Sequence, residues 1–238
     1  MRRLHDDEET IPGPPPRLAL LLEPAGLLEP IRLAAHSRQL AGLPRGDDAP
    51  VMVLPGFGTT DTATWALRRF LGYLGYDVHG WGLGRNHGRV PELIGQVLEG
   101  LENLAVRRGR AVHLVGWSLG GYLAREAARE RPNLVTRVIT LGSPVVGGPK
   151  YTASHRYYLR QGYDLDEIEA TVAARDKVPL NVPVTAIYSK RDGVVTWQAC
   201  IDRVNPGTEH VEVGTSHLGL GLSPDVYSII ARRLAESP

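Results

Sequence analysis

Residues 114–122 read LVGWSLGGY, an apolar run that leads into one serine between closely spaced glycines. Gly116, Ser118 and Gly120 form the pattern G-x-S-x-G, and the next residue is also glycine. The pattern lies between a predicted strand and a predicted helix, where a sharp turn can expose a nucleophilic hydroxyl. A plain surface turn is the alternative interpretation. The position between strand and helix favours Ser118 as a nucleophile.

Short apolar runs alternate with amphipathic helical segments from residue 51 onward. The strand-like runs, in chain order, are VMVLP, DVHGWGL, AVHLVGW, VTRVITLG, VPVTAIYS and HVEV. Continuous apolar runs are typical of strands that helices cover on both faces. The alternation predicts an α/β fold, a doubly wound and mostly parallel sheet of about six strands with helices on both faces. Ligands bind such sheets at the carboxyl ends of the strands, so we expect the chemistry there.

A serine hydroxyl is a weak nucleophile until a base takes its proton. His217, in VEVGTSHLGL, follows the last predicted strand and is the candidate base. Asp192, in KRDGVV, follows the strand before it and is the candidate acid that orients the imidazole. The segment 142–163, after an earlier strand, holds no Asp or Glu. The alternatives are a surface histidine at 217 and a turn or capping role for Asp192.

Acyl transfer also needs hydrogen-bond donors for the oxyanion that develops on the substrate. The backbone N–H of Leu119, directly after the nucleophile, is one candidate. The N–H of Phe57, in the loop LPGFG after the first strand, is the other. A tight turn at LPGFG is required under either interpretation.

The motifs LPGFG, GWSLGG, TLGSP, YSKRDGVV and GTSHLGL, spread over residues 51–236, resemble the esterase and lipase branch of the α/β-hydrolase superfamily. The chain order Ser118, Asp192, His217 is similar to that of the superfamily. The resemblance implies an α/β-hydrolase fold and hydrolysis of carboxylic esters without a cofactor or a metal. The sequence departs from the lipase pattern at Pro55, Trp117 and Val145, where lipases often carry histidine.

The domain organisation predicted from the sequence is simple. Residues 1–16 are acidic and rich in proline and are expected to form a flexible tail, whereas 17–238 form one domain. A helical segment over 17–42 is expected to stand in place of two early strands that are common in larger members of the superfamily it resembles. About 144–182 are expected to form a small lid or cap, with an ordinary surface helix as the alternative. The candidate pocket residues are Trp117, Val145, Tyr151 and Tyr158.

Composition and the absence of certain motifs argue against several classes of function. The net charge is +1, and no zinc-finger, basic-helix, HExxH or CxxC pattern occurs, so neither nucleic acid nor a metal is expected. A single cysteine, Cys200, excludes an internal disulfide. Charged residues and prolines interrupt the apolar stretch LALLLEPAGLLEPIRLAA, so stable membrane insertion is not expected. We expect a soluble, cytoplasmic enzyme that acts on a small-molecule ester, and the oligomeric state is left open.

Other reactions could use the same three side chains, Ser118, Asp192 and His217, and the sequence leaves these alternatives open. A thioesterase, a lactonase, an acyltransferase or a cofactor-free perhydrolase would use the same nucleophile, base and acid. A non-catalytic binding protein on a hydrolase scaffold is a further alternative. The presence of all three side chains argues against it.

Overall fold

The structure, a computed structural model, describes residues 11–236. Six strands form one sheet with the order β2-β1-β3-β4-β5-β6, and every neighbouring pair is parallel. The strands are β1 (Pro50–Leu54), β2 (Asp77–Gly80), β3 (Val112–Trp117), β4 (Val135–Leu141), β5 (Val184–Tyr188) and β6 (Thr208–Glu212). The predicted doubly wound α/β sheet is therefore confirmed, and the strand order reverses between β1 and β3.

Helices follow the strands as the alternation predicts. The α-helices are α1 (Glu29–Ala35), α2 (Ser37–Ala41), α3 (Trp65–Tyr73), α4 (Val90–Arg108), α5 (Leu119–Glu130), α6 (His155–Arg160), α7 (Leu165–Asp176), α8 (His217–Leu220) and α9 (Pro224–Leu234). A long 3-10 segment covers Arg17–Leu28, and short ones cover Asp61–Thr64, Pro132–Leu134, Gly148–Tyr151 and Trp197–Cys200. None of the helices within residues 11–236 is both long enough and apolar enough to cross a bilayer.

The core consists of two layers, one on each face of the sheet. Successive strand side chains point to opposite faces, so Val51 and Val53 pack in the layer of α3 and α9. Met52 and Leu54 pack in the layer of α4 and α5. All five residues of β1 are buried, which explains why the strand reads as a continuous apolar run.

The spacing of apolar residues in helix α4 determines which of its faces packs into one of these layers. Its residues Leu93, Val97, Leu101 and Leu104 recur at helical spacing, and all four are buried against the sheet. Gly109 ends the helix in the left-handed conformation, with φ of 60°, where glycine is favoured.

The ends of the chain differ in detail from the sequence expectations. Residues 1–10 of the predicted flexible tail lie outside the described residues. Residues 11–16 lack regular structure, but Ile11 packs against a small apolar cluster and the carbonyl of Gly13 accepts a hydrogen bond from the Thr196 hydroxyl (2.6 Å). The predicted helical segment over 17–42 is a long 3-10 run that contains Pro24, followed by α1 and α2.

Candidate active site

Ser118 lies at the junction of β3 and α5 in a strained backbone conformation, with φ of 55° and ψ of −124°. The flanking glycines are required by close backbone approach. A Cβ on Gly116 would lie 2.4 Å from the carbonyl oxygen of Gly120, and a Cβ on Gly120 would lie 2.3 Å from that of Leu54. The G-x-S-x-G pattern therefore forms the predicted sharp turn between strand and helix.

His217 and Asp192 meet although they follow different strands. His217 Nδ1 lies 2.6 Å from Asp192 Oδ2, and both side chains are buried. The other carboxylate oxygen, Oδ1, accepts the backbone N–H groups of Val194 (2.8 Å) and Val195 (2.7 Å). These contacts aim Oδ2 at the imidazole. A carboxylate in this position selects the tautomer with the proton on Nδ1, which leaves Nε2 free to act as a base.

Two carboxylates act on the protonation of His217. Burial alone lowers the pKa of its imidazole, because a charged ring is poorly solvated there. The charge and the hydrogen bond of Asp192, together with the charge of Glu23, more than offset this effect. The pKa of His217 is therefore raised, which favours the imidazolium that forms when a base accepts a proton.

A cavity of about 790 Å³ connects the predicted residues. Ser118 and His217 both line it, as do Trp117, Phe57 and Leu119. The ring of Trp117 lies 5.9 Å from that of His217, centroid to centroid. The cavity lies at the carboxyl ends of the strands, beside the reversal of strand order between β1 and β3, where ligands bind in open α/β sheets.

The two candidate oxyanion donors are free to bind a substrate. The backbone N–H groups of Phe57 and Leu119 make no hydrogen bond to any residue of the described chain, and both residues line the cavity. The Leu119 N–H belongs to the first turn of α5, where a helix has no internal acceptor for it. Their placement suits an anion bound beside Ser118.

Asn86 braces the oxyanion loop and was not identified from the sequence. It is fully buried, and its side-chain Nδ2 donates to the carbonyl of Pro55 (2.9 Å). Its backbone carbonyl accepts from Gly58 (2.7 Å) and its backbone N–H donates to Thr59 (2.8 Å). Asn86 belongs to an irregular loop after β2, and no periodicity or motif marks it there.

The four candidate pocket residues separate into two pairs. Trp117 and Tyr158 line the cavity, and the Tyr158 hydroxyl donates to the carbonyl of Gly88 (3.1 Å). Val145 and Tyr151 lie outside its wall, so the structure does not place them with Ser118. Val145 is buried behind the site. The Tyr151 hydroxyl instead donates to Glu169 (2.6 Å), and its ring packs on a separate apolar cluster.

The segment over 144–182 supplies one wall of the cavity. Ile168 and Val172 of α7 face it, as does Tyr158 of α6. Along the opposite wall, Ser118, Tyr122 and Glu126 follow one another at four-residue spacing on α5. Eight residues of helix span about 12 Å, so the lining on α5 extends about that far beyond Ser118.

Other candidate sites lack this chemistry. A groove of about 1190 Å³ lies between α2 and α3, but none of the described residues that line it belongs to the predicted nucleophile, base or acid. No group of three or more His, Cys, Asp or Glu within residues 11–236 is arranged to hold a metal ion. The cavity at Ser118 is therefore the candidate active site.

The sequence profile of the alpha/beta hydrolase family matches residues 51–232. The chain belongs to the α/β-hydrolase family. The matched segment contains the G-x-S-x-G turn at Ser118, the candidate acid Asp192, the candidate base His217 and the loop LPGFG. No curated protein sequence matches this α/β-hydrolase.

Solved structures share the fold of this α/β-hydrolase at low identity. A structure from work on LipS and LipT, two metagenome-derived lipolytic enzymes, superimposes with a TM-score of 0.63 at 15% identity, over 81% of this chain and 94% of that one. Naproxen esterase from Bacillus subtilis gives 0.57 at 12% identity, over 89% and 98%. A thioesterase domain from the curacin biosynthetic pathway gives 0.55 at 15% identity, over 81% and 93%.

Proposed function

We propose that this α/β-hydrolase cleaves carboxylic esters through an acyl-enzyme formed on Ser118. One observation carries the proposal. His217 Nδ1 lies 2.6 Å from Asp192 Oδ2, while His217 and Ser118 line the same cavity. This geometry supports a hydrolytic triad of Ser118, His217 and Asp192.

In the first half of the proposed reaction, His217 Nε2 accepts the hydroxyl proton as Ser118 Oγ attacks the ester carbonyl carbon. Asp192 stabilises the imidazolium that results. The N–H groups of Phe57 and Leu119 donate to the oxyanion of the tetrahedral intermediate, and loss of one such donor typically costs about 10²–10³ in rate. Breakdown of the intermediate breaks the bond to the alcohol oxygen, and His217 gives that oxygen its proton.

In the second half, water replaces the alcohol. His217 takes a proton from the water as its oxygen attacks the acyl carbon. The second intermediate collapses, the carboxylic acid leaves and Ser118 regains its proton from His217. These steps use side-chain and backbone groups of the chain with water, and we propose that no cofactor takes part.

The walls of the cavity favour an uncharged, moderately apolar ester. Their apolar and aromatic side chains include Phe57, Trp117, Ile168 and Val172. At the far end, the Glu126 carboxylate is already hydrogen-bonded to Arg175, so that charge is compensated. We propose a small-molecule substrate with one chain lying along α5, hydrolysed in the cytoplasm.

A thioesterase is the second candidate for the same site, since a thioesterase domain shares the fold. A thioester presents the same acyl carbon to Ser118 and differs only in the leaving atom. Lactones, transfer of the acyl group to another alcohol, and peracid formation would follow the same acyl-enzyme. Parallel panels of esters, thioesters and lactones, with product analysis, distinguish these reactions.

The test of the proposal compares Ser118→Ala with Ser228→Ala, a serine of α9 whose hydroxyl donates to the Pro224 carbonyl (2.9 Å). We expect Ser118→Ala to fold and to lose both turnover of p-nitrophenyl acyl esters and labelling by a fluorophosphonate probe. Ser228→Ala should retain both. Turnover that survives in Ser118→Ala, or a wild-type protein that the probe never labels, would refute the triad and favour a binding protein.

A further inference from the structure

The N-terminal segment reverses the usual pattern of burial. Over 17–29, Glu23 and Glu29 are each only 5% exposed, whereas Leu21 is 72% exposed. All five other leucines of the segment are also exposed: Leu18, Leu20, Leu22, Leu27 and Leu28. A buried carboxylate is costly unless hydrogen bonds satisfy it, so the partners of these two glutamates indicate what the segment does.

The Glu23 carboxylate joins the two loops that carry the proposed acid and base. Its Oε1 accepts the backbone N–H of Gly193 (2.8 Å), the residue directly after Asp192. The same oxygen accepts the N–H of His217 itself (3.1 Å), and Oε2 accepts that of Leu218 (2.8 Å). One side chain therefore holds both loops by their backbones.

The segment also approaches both loops at backbone contact distance. A Cβ on Gly193 would lie 2.4 Å from the carbonyl oxygen of Ala19, and a Cβ on Gly26 would lie 2.6 Å from the backbone nitrogen of Gly219. The Ser216 hydroxyl donates to the carbonyl of Glu23 (3.2 Å). Contacts this close leave the two loops little freedom to move relative to one another.

We propose that Glu23 is a positioning residue of this active site, whose carboxylate fixes the acid and base loops together and whose charge stabilises the imidazolium of His217. This inference rests on the proposed triad. Glu23 lies outside residues 51–232, the segment that the family profile matches. Glu23 does not touch the substrate cavity and acts only through His217 and the loop after Asp192.

The charged groups around His217 support an electrostatic part in this role. Asp192 faces it from the loop after β5 and Glu23 from the N-terminal segment, and both raise the pKa of the imidazole. The buried Cys200 thiol lies behind Asp192, and burial raises its pKa, so it stays neutral. On the β3 side, the neighbour is the uncharged ring of Trp117.

Glu29 is a natural control for Glu23. It reaches the same loop, because its Oε1 accepts from the Thr215 hydroxyl (2.7 Å). Its charge, however, is compensated by Arg32 at 2.9 Å, whereas Glu23 has no cationic Lys or Arg partner in the described chain. Both glutamates thus lie in the N-terminal segment, are buried and bond to the loop that carries His217. Only Glu23 contacts His217 itself.

The experiment compares Glu23→Gln with Glu29→Gln in the full-length protein. Glutamine keeps the size of Glu23 but removes its charge and one acceptor. We expect kcat to fall by about tenfold to a hundredfold, as for small misplacements of catalytic groups, while KM stays near the wild-type value. The acid limb of the kcat/KM profile should move to lower pH, because the charge that favours the imidazolium is gone. Glu29→Gln should lower Tm without moving that limb.

A second measurement needs no turnover. Titration of the His217 imidazole by NMR, in a Ser118→Ala background, should show a lower pKa in Glu23→Gln and an unchanged one in Glu29→Gln. Glu23→Asp, which keeps the charge but shortens the reach, should lower kcat and leave the acid limb in place. This variant also serves if Glu23→Gln fails to fold.

The outcomes separate the two proposals. Identical His217 titration and identical pH profiles in Glu23→Gln and Glu29→Gln would overturn the role of Glu23 and leave the ester hydrolase intact. A wild-type protein that neither hydrolyses esters nor reacts at Ser118 would overturn the proposed function, and the NMR titration would still decide whether Glu23 acts on His217.

Discussion

The Asn86 side chain donates to the carbonyl oxygen of Pro55 at 2.9 Å and thereby ties the loop after β2 to the loop that carries Phe57. Residue 55 is a proline, whose side chain can neither donate nor accept a hydrogen bond. Here an asparagine from the neighbouring strand's loop supplies the brace. The free N–H of Phe57 is therefore held in place from outside its own loop.

Replacement of Asn86 by alanine should loosen the oxyanion loop. We expect a loss of about 1–3 kcal/mol in unfolding free energy from the unpaired Pro55 carbonyl. The fall in kcat should approach the 10²–10³ that removal of one oxyanion donor typically causes. Steady-state kinetics and urea unfolding check this. A variant that is destabilised yet keeps wild-type kcat would show that the loop needs no brace.

Gly142 follows β4 and lies against the His217–Asp192 hydrogen bond. A Cβ there would lie 2.9 Å from Asp192 Oδ2 and 3.0 Å from His217 Nδ1, and φ is 55°. We expect Gly142→Ala to cost stability and to lower kcat by displacing the acid from the base.

The control for Gly142 is Gly109→Ala at the end of α4. Its φ is 60° but open space surrounds its Cβ position, so it carries the left-handed strain of about 1 kcal/mol without the crowding. Both variants should lose stability in thermal unfolding, and only Gly142→Ala should lose activity. Equal activities in the two variants would contradict the steric argument.

His113 should make the fold sensitive to acid. Burial first, then the charges of Arg137 and Arg110, lower its pKa from 6.5 to about 4, while Asp47 opposes them weakly. Between these two values the unfolded chain binds a proton that the folded chain does not, so stability falls as the pH drops through this window. The full difference corresponds to about 3 kcal/mol.

A His113→Phe variant removes this dependence and keeps a ring beside Tyr76, whose centroid lies 6.5 Å away. Urea unfolding at pH 8 and pH 4.5 measures the loss of stability in each protein. The wild type should lose more than the variant, with the difference confined to the lower pH. Parallel losses in the two proteins would show that His113 titrates normally.

The cavity wall supplied by α7 should set substrate length. Ile168→Trp fills space opposite α5 and should lower kcat/KM for long acyl esters much more than for acetyl esters. Leu159→Trp changes a side chain that is exposed and lies outside the cavity wall. Assays over a series of p-nitrophenyl esters test the difference. The same chain-length profile in both variants would place the substrate chain elsewhere.

Sequence analysis predicted the features that depend on a repeating pattern of residues or on a short motif. Strand and helix periods predicted the six-stranded sheet, and parallel strands bring their carboxyl ends to one edge, so the residues after β3, β5 and β6 had to lie close together. Ser118 was evident from its glycines. His217 and Asp192 followed from their positions after the last two strands.

The residues that sequence reasoning missed act through distant contacts. Asn86 lies in an irregular loop, and Glu23 lies in a leucine-rich 3-10 run where an amphipathic pattern would place glutamate outside. Tyr151 was expected at the cavity because it is aromatic and lies in the segment over 144–182. Which face of a short helix turns inward depends on packing partners that spacing alone does not reveal.

The hydrogen bond from the His217 backbone N–H to the Glu23 carboxylate joins residues that are 194 positions apart in the sequence. Contacts this distant close a very large loop and form late, after the local helices and strands have gained their shape. The protein should therefore regain its far-ultraviolet circular dichroism before its hydrolytic activity during refolding from urea. Recovery of both signals in one phase would show that the segment around Glu23 and the loop around His217 meet early.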